Sequence, residues 1–387
     1  SALPLATRAV ESGPSYKGRS QAKAQHLWVI LCGYLSLPSL TAMNQSLITP
    51  LLRLSALSLC LLGLHGLSIA QDKVQQMRVS TWVPAQHALN PAVQTWIDSL
   101  KKASGGSINP TLFPSEQLGK AMDHYDMARD GLTDFAFVNP GYQPGRFPIF
   151  AAASLPFEIS NAKAGSAAID AWYRAYAAKE MKEVKYCFAF AHDPGALHSR
   201  KKVLMPADMK GMKVRPATST VGQMVTLLGG TNVQASAPES RDVLERGVAD
   251  GTVFPWGSTV LFGVDKALKY HLDMPAEMGF FGLAINKSRY ERLSSDQKKA
   301  LDSHCTTEWA AKLDAPWGMF EDEGRAKIAA LPGHEVIKPT TEQVDLWRQS
   351  AKPLIDEWAK AAAKTGINPQ ATFDELKKLL AAEGAAL

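Results

Sequence analysis

The chain carries few of the marks of an enzyme or a metal protein. Cysteine occurs four times in 387 residues, and with no Cys-x-x-Cys or His-Glu-x-x-His spacing the sequence offers no zinc site. It also has no Gly-x-Ser-x-Gly elbow, no phosphate-binding glycine loop and no pair of carboxylates that sequence alone sets across a cleft. The histidines beyond residue 70 (His87, His124, His192, His198, His271, His304 and His334) are too scattered for a local catalytic spacing. No segment beyond residue 70 approaches the roughly 18 uninterrupted apolar residues that a membrane span needs, and no internal repeat or low-complexity stretch stands out. A charge excess is missing too. Lys and Arg number 42 against 37 Asp and Glu, but residues 1–70 hold five bases (Arg8, Lys17, Arg19, Lys23, Arg53) and one acid, Glu11. The remainder is nearly balanced and shows no electrostatic footprint for nucleic acid.

What is present begins with a leader. Met43 to Arg53 reads as the n-region of a signal peptide, Leu54 to Leu67 as its apolar h-region, and Ser68-Ile69-Ala70 as a small-x-small cleavage site before Gln71. Residues 43–70 are therefore expected to direct export. Leu57-Ser-Leu-Cys60 faintly resembles a lipoprotein box, but Leu59 stands where a small residue is expected. Residues 1–42 contain an apolar run from Leu27 to Leu40 broken by Gly33 and Pro38. They are read as an upstream extension that is not native and lies outside the fold; a cytosolic or membrane-tethered tail is the alternative. Only Cys187 and Cys305 fall beyond the leader. The first lies in the apolar strand Tyr186 to Phe190 and the second in a helical pattern, so two buried free thiols are expected in preference to a disulfide.

From residue 71 on, strand-like and helical patterns alternate as in an α/β protein, with enough chain for two lobes. Strands are expected at Met77–Trp82, near Ile108–Phe113, at Phe135–Val138 and at Tyr186–His192, where the chain crosses to a second lobe, with the return crossing near Phe280–Asn286. Helices are expected at Pro91–Ala103, Lys120–Arg129, about Asn161–Val184, Ser294–Ala330, Thr340–Lys364 and Phe373–Ala382. Asn139-Pro-Gly-Tyr142 follows a buried strand and is a candidate ligand wall, because open parallel sheets bind ligands at the carboxyl ends of their strands.

The segment from Ala207 to Trp256 is the most informative. Gly211 can end a turn, Met212 and Val214 put apolar groups on one face, and Arg215 closes a short strand that Pro216 stops. Thr218, Ser219 or Thr220 can then cap a helix carrying Val221, Met224, Val225 and Leu228 on one side. A guanidinium at a strand terminus beside a helix N-terminus can clamp a carboxylate, since its fork matches both oxygens and the helix field favours the anion. A surface arginine paired with a nearby acid fits the same residues.

Several motifs also occur in order along the chain. They are Phe113-Pro-Ser-Glu-Gln117-Leu118-Gly119, Gly131-Leu-Thr-Asp134-Phe135, Leu155-Pro156-Phe157 and Met209-Lys-Gly-Met-Lys-Val-Arg215, followed by Glu239 to Gly251. From about Val74 onward the chain resembles the extracytoplasmic solute-binding proteins of tripartite ATP-independent periplasmic (TRAP) transporters, the DctP-like family. The resemblance implies a two-lobed fold of the periplasmic binding protein kind, with two α/β domains, a hinge and a long helix bracing both lobes. It sets residues 71–192 with about 280–318 in lobe I, and 193–279 with about 319–387 in lobe II. It further implies a periplasmic receptor, not an enzyme, with no cofactor, and leaves open whether a metal ion joins the site. That receptor is expected to be a monomer handing a small organic acid to DctQ-like and DctM-like permease subunits. Arg215 becomes the arginine that pairs with the substrate carboxylate. A ligand-sensing periplasmic module, or an enzyme acting on a carboxylic acid, remains the alternative.

Where this chain departs from the family, it loses polar partners. Gly195 falls near the position of a further arginine that some members carry, Ala237 stands where an aromatic is usual, and Thr252-Val-Phe254-Pro-Trp256 follows Asp250-Gly251. A second buried carboxylate would then be poorly paired and costly. One carboxylate on an apolar or aromatic body, an aryl or 2-oxo monoacid, fits better. The expected pocket is Arg215 with Asn139, His192 and His87 as hydrogen-bonding groups and Trp82, Tyr142, Phe254 and Trp256 as walls. Phe254 and Trp256 could equally be hinge-core residues.

Overall fold

A computed structural model describes residues 72–387; the expected upstream extension and signal peptide lie outside the described residues. In chain order the strands are β1 (Gln75–Ser80), β2 (Ile108–Phe113), β3 (Phe135–Val138), β4 (Val184–Ala191), β5 (Gly195–Ser199), β6 (Lys213–Arg215), β7 (Thr231–Asn232), β8 (Gly251–Phe254), β9 (Tyr270–Glu277), β10 (Phe280–Asn286) and β11 (Glu335–Ile337). They form two sheets. The first runs β2-β1-β3-β10-β4, and the second runs β11-β9-β5-β8-β6-β7. In the first, β1 is parallel to β2 and β3, while β10 lies antiparallel to both β3 and β4. No helix among the described residues is long and apolar enough to cross a membrane.

The chain crosses from one sheet to the other between Ala191 and Gly195 and returns between Glu277 and Phe280. The two crossings are tied side by side, since the His192 amide donates to the Gly279 carbonyl at 3.2 Å and the Gly279 amide donates to His192 Nε2 at 3.1 Å. Short crossings of this kind form a hinge, and the space beside them is where ligands of both sheets can be held.

Of the helices that pack around these sheets, those nearest the crossings or the brace are α1 (Leu89–Ala103), α2 (Ala162–Tyr173), α3 (Ser219–Leu227), α4 (Trp256–Leu261) and α5 (Thr307–Ala329). In α1 the 3.6-residue period buries Leu89, Val93, Trp96, Ile97 and Leu100 on one side. The long helix α5 starts at a Thr306 cap and continues through Pro316 for 23 residues. It lies against α1, α2 and β4 on the side of the first sheet and against α4 and β11 on the side of the second. It is the brace that links the two.

Several expectations need correction. The helix foreseen over Ser294–Ala330 breaks at Ser303–Thr306, and that over Thr340–Lys364 breaks at Pro353, which starts a new helix because its ring cannot continue the old one. Cys187 and Cys305 are joined in a disulfide and are not free thiols. The break before α5 is the reason, because it turns Cys305 out of the helix and sets its Cα 4.4 Å from that of Cys187 on β4. Closing a loop across a separation of 118 residues stabilises by about 5 kcal/mol on chain-entropy grounds. Pro369–Glu383 packs on α2, where Trp172 Nε1 donates to the Thr372 carbonyl at 3.0 Å.

Candidate binding site

Beside the hinge, side chains from both sheets line a narrow cavity. Its aromatic wall comes largely from the first sheet and the brace. Trp82, just past β1, stacks on Phe137 of β3 at 5.1 Å between ring centres, and Phe281 of β10 stacks on Trp317 of α5 at 5.2 Å. Strand alternation turns Phe137 and Phe281 to one face, their rings 4.9 Å apart.

Arg215 comes from the second sheet. It ends β6 and is fully buried. Its Nε donates to the Ala235 carbonyl at 3.0 Å and its Nη2 to the Tyr142 hydroxyl at 3.4 Å, while the guanidinium sits 5.1 Å from the Phe254 ring centre. Nη1 has no hydrogen-bond partner among the described residues. Burial pulls the guanidinium pKa down, and Tyr142 and Glu277 oppose that shift, so the group remains charged but incompletely satisfied. Of the three possible caps for the following helix, Thr218 holds the position and accepts from the Val221 amide.

Tyr142 and Asn139 reach across from the loop after β3. The Tyr142 hydroxyl accepts the Ala237 amide at 2.8 Å, which leaves its own proton to give. Asn139 accepts from the Gly141 amide at 2.9 Å and points its amide nitrogen at the Ala217 carbonyl, 3.5 Å away. Both residues therefore join the two sides of the cavity directly.

The two histidines are held neutral and already have partners. His87 is pushed down to about 3, mainly by burial. Its Nδ1 accepts the Leu89 amide at 3.1 Å, so the proton lies on Nε2, facing Ser258 Oγ at 3.4 Å. His192 is pushed down to about 4 by burial. Its Nε2 accepts from Gly279, so Nδ1 carries the proton toward the Asp193 carbonyl at 2.7 Å. Neither ring is free to take a proton from a nucleophile. Ser258 instead donates to Glu321 of α5 at 2.8 Å, a carboxylate that also caps the start of α4.

Seven of the eight expected residues line the cavity together: Trp82, His87, Asn139, Tyr142, His192, Arg215 and Phe254. Trp256 does not. The backbone is extended through Phe254, but Pro255 opens α4, so the next residue leaves the cavity face and packs with Ala196 and Ile328, its ring 5.2 Å from the Arg325 guanidinium. Sequence reasoning missed Glu277, Ser258, Phe281 and Trp317, which also line the cavity. Glu277 ends β9, is almost wholly buried, and finds no hydrogen-bond partner for either oxygen among the described residues. No cluster of His, Cys, Asp and Glu among the described residues is arranged to hold a metal.

Residues 79–361 match the model of the DctP family, bacterial extracellular solute-binding protein, family 7. Among solved structures, the chain is similar to a TRAP solute-binding protein from Rhodoferax ferrireducens in complex with copurified benzoate. The two share 26% identity over 80% of this chain and 99% of the other, with a TM-score of 0.76. A marine-metagenome TRAP solute-binding protein specific for aromatic acid ligands, in complex with 3-hydroxybenzoate, gives 28% identity, 81% and 99% coverage and a TM-score of 0.75. A TRAP periplasmic solute-binding protein from Bordetella bronchiseptica with bound (R)- and (S)-mandelate gives 28%, 79% and 98%, and 0.74.

Proposed function

The chain belongs to the family of bacterial extracellular solute-binding proteins, family 7, and from that premise we propose that it is a periplasmic receptor that captures a small aromatic monocarboxylate for a TRAP permease. The observation that carries the reading is the single buried cation in an aromatic enclosure. Arg215 is the one residue lining the cavity that is charged positive, and its Nη1 awaits an acceptor. One carboxylate satisfies it; the rings of Trp82, Phe254 and Phe281 offer apolar area worth about 25 cal/mol per Å² covered. The benzoate, hydroxybenzoate and mandelate bound by similar proteins support the same class.

The mechanism is capture by closure. Tyr142 and Asn139 on one side meet Arg215, Ala217 and Ala237 on the other, and a ligand that completes Arg215 adds differential affinity for the arrangement in which these contacts exist. A permease, with DctQ-like and DctM-like subunits, would read the closed surface. Covalent chemistry has no role in this cycle, so the bound acid is released unchanged.

Melting curves over a panel of benzoate, mandelate, a 2-oxo acid, succinate and sialic acid test the proposal, because a ligand of the native state raises the transition with its concentration. Aromatic monoacids should raise it most. Tighter binding of succinate than of every monoacid would refute the pocket assignment.

A further inference from the structure

Arg215 has an acidic counterpart on the cavity wall. Glu277 faces the cavity from β9, and the backbone on two sides is shaped around its carboxyl. Gly195 is its register partner on β5, where a Cβ would lie 2.8 Å from Oε2; a Cβ on Gly279 would lie 3.0 Å from Oε1. His192 Nε2 stands 3.6 Å from Oε1 but already accepts the Gly279 amide, so it gives Glu277 no hydrogen. The remaining charged groups that act on it are Arg215 on β6, with which it forms no ion pair among the described residues, and Glu321 on α5. A buried polar group left unmade carries its full desolvation penalty.

The sheet order fixes the scale. From β9 through β5 and β8 to β6 there are three strand spacings, or about 14 Å between backbones. Arg215 reaches inward over Phe254 of β8, and Glu277 inward over Gly195 of β5. The Phe254 ring lies beside the guanidinium, and Phe281 and Trp317 line the same cavity. Two buried groups with unused hydrogen-bonding capacity, one cationic and one acidic, therefore line one cavity that aromatic rings also line.

We propose that Glu277 is a second recognition group, hydrogen-bonding a hydroxyl on the ring while Arg215 takes the carboxylate, so that the ligand is a hydroxylated aromatic monoacid. This rests on the monocarboxylate reading above. Burial pushes the Glu277 carboxyl up to about 8, with Arg215 pulling down and Glu321 adding to the rise. At neutral pH the carboxyl thus keeps its proton and can both donate to and accept from a hydroxyl. A second ligand carboxylate would find no cation there, since His87 and His192 are neutral.

Calorimetry of benzoate against 3- and 4-hydroxybenzoate on the full protein tests this. The wild type should bind at least one hydroxylated acid roughly tenfold or more tightly than benzoate, since a site built for a hydroxyl rejects the analogue lacking it. Glu277→Leu should bring the acids within about threefold of each other while benzoate holds or gains affinity. Equal binding of all three acids by the wild type, or a hydroxyl preference surviving in Glu277→Leu, overturns the inference yet leaves the monocarboxylate reading standing. Binding of none of them overturns both. If Glu277→Leu does not fold, Glu277→Gln decides. The wild type should lose affinity as pH rises through about 8 and the carboxyl ionises beside the ligand anion; the amide variant should show no such loss, and identical profiles would refute the role.

Discussion

Arg215 and Glu277 line one cavity and are both almost wholly buried, yet their surroundings treat them differently. Around the arginine the protein supplies a backbone carbonyl, a tyrosine hydroxyl and a phenyl face, enough to keep the cation charged while one nitrogen stays open. Around the glutamate it supplies space and no donor, and burial leaves the carboxyl protonated at neutral pH. The first arrangement calls for an anion. The second calls for a neutral polar group, and it shows that a buried acid need not act as a charge.

The largest effect that would break this contrast is expected at the cationic end. Arg215→Ala should weaken binding of an aromatic acid by about 3–5 kcal/mol, the usual cost of leaving one member of a buried charge pair alone. The variant should still melt cooperatively, because removing an unsatisfied buried cation also removes its desolvation cost. Calorimetry checks both. Affinity near wild type would return Arg215 to the structural role that its bond to Ala235 could serve by itself.

The cationic end was legible in the sequence and the neutral end was not. Arg215 closes a run of turn glycine, alternating strand and stopping proline whose geometry is local, and β2 and β3 have the bounds expected of them. Trp82, Tyr142 and Phe254 could be placed because each lies at or shortly past the end of a strand, where open sheets hold their ligands. Glu277 closes a strand with no motif, and its meaning depends on Gly195 lying across from it on β5. In sequence Gly195 reads as a lost arginine, whereas in the fold it is the room that a carboxyl needs. The disulfide escapes the sequence for a similar reason: its geometry depends on where a helical pattern breaks, and that break is set by packing against β4.

A middle-sized effect is expected in the pH dependence of stability. Glu277 and Asp314 are pushed up to about 8 and Glu321 to about 7, in each case chiefly by burial. The native state therefore holds protons that the unfolded chain gives up near pH 4–4.5. Their effect is undiminished below that range and costs stability as pH rises through the folded values. His87 and His271, near 3, and His192 and His198, near 4, act in the opposite sense. Their contribution is complete above 6.5 and lost as pH falls. Between pH 4.5 and 6.5 the two sets offset each other; above 6.5 only the carboxyl slope remains, up to about 1.4 kcal/mol per unit for each group. Melting temperature should peak near pH 6 and decline toward pH 8. In Glu277→Gln the decline should be shallower by about 2 kcal/mol over that interval. Parallel curves for the two proteins would mean that Glu277 is already ionised and that the contrast with Arg215 is false.

The smallest effect on binding is expected at Trp256. In an extended chain, residues two apart share a face, and on that basis Phe254 and Trp256 form a pair. Pro255 ends the extension, α4 begins at the tryptophan, and the ring lies with Ala196 and Ile328, met edge-on by His198 at 5.1 Å. Trp256→Phe keeps an aromatic in that core but leaves a void, so it should lower stability by about 1–2 kcal/mol. Binding should change by no more than about 0.5 kcal/mol, as for a substitution without contact to the ligand. Denaturant melts and calorimetry on one preparation separate the two quantities. If affinity falls while stability holds, the tryptophan belongs to the cavity after all, and the aromatic wall extends past the strand end where helix α4 now bounds it.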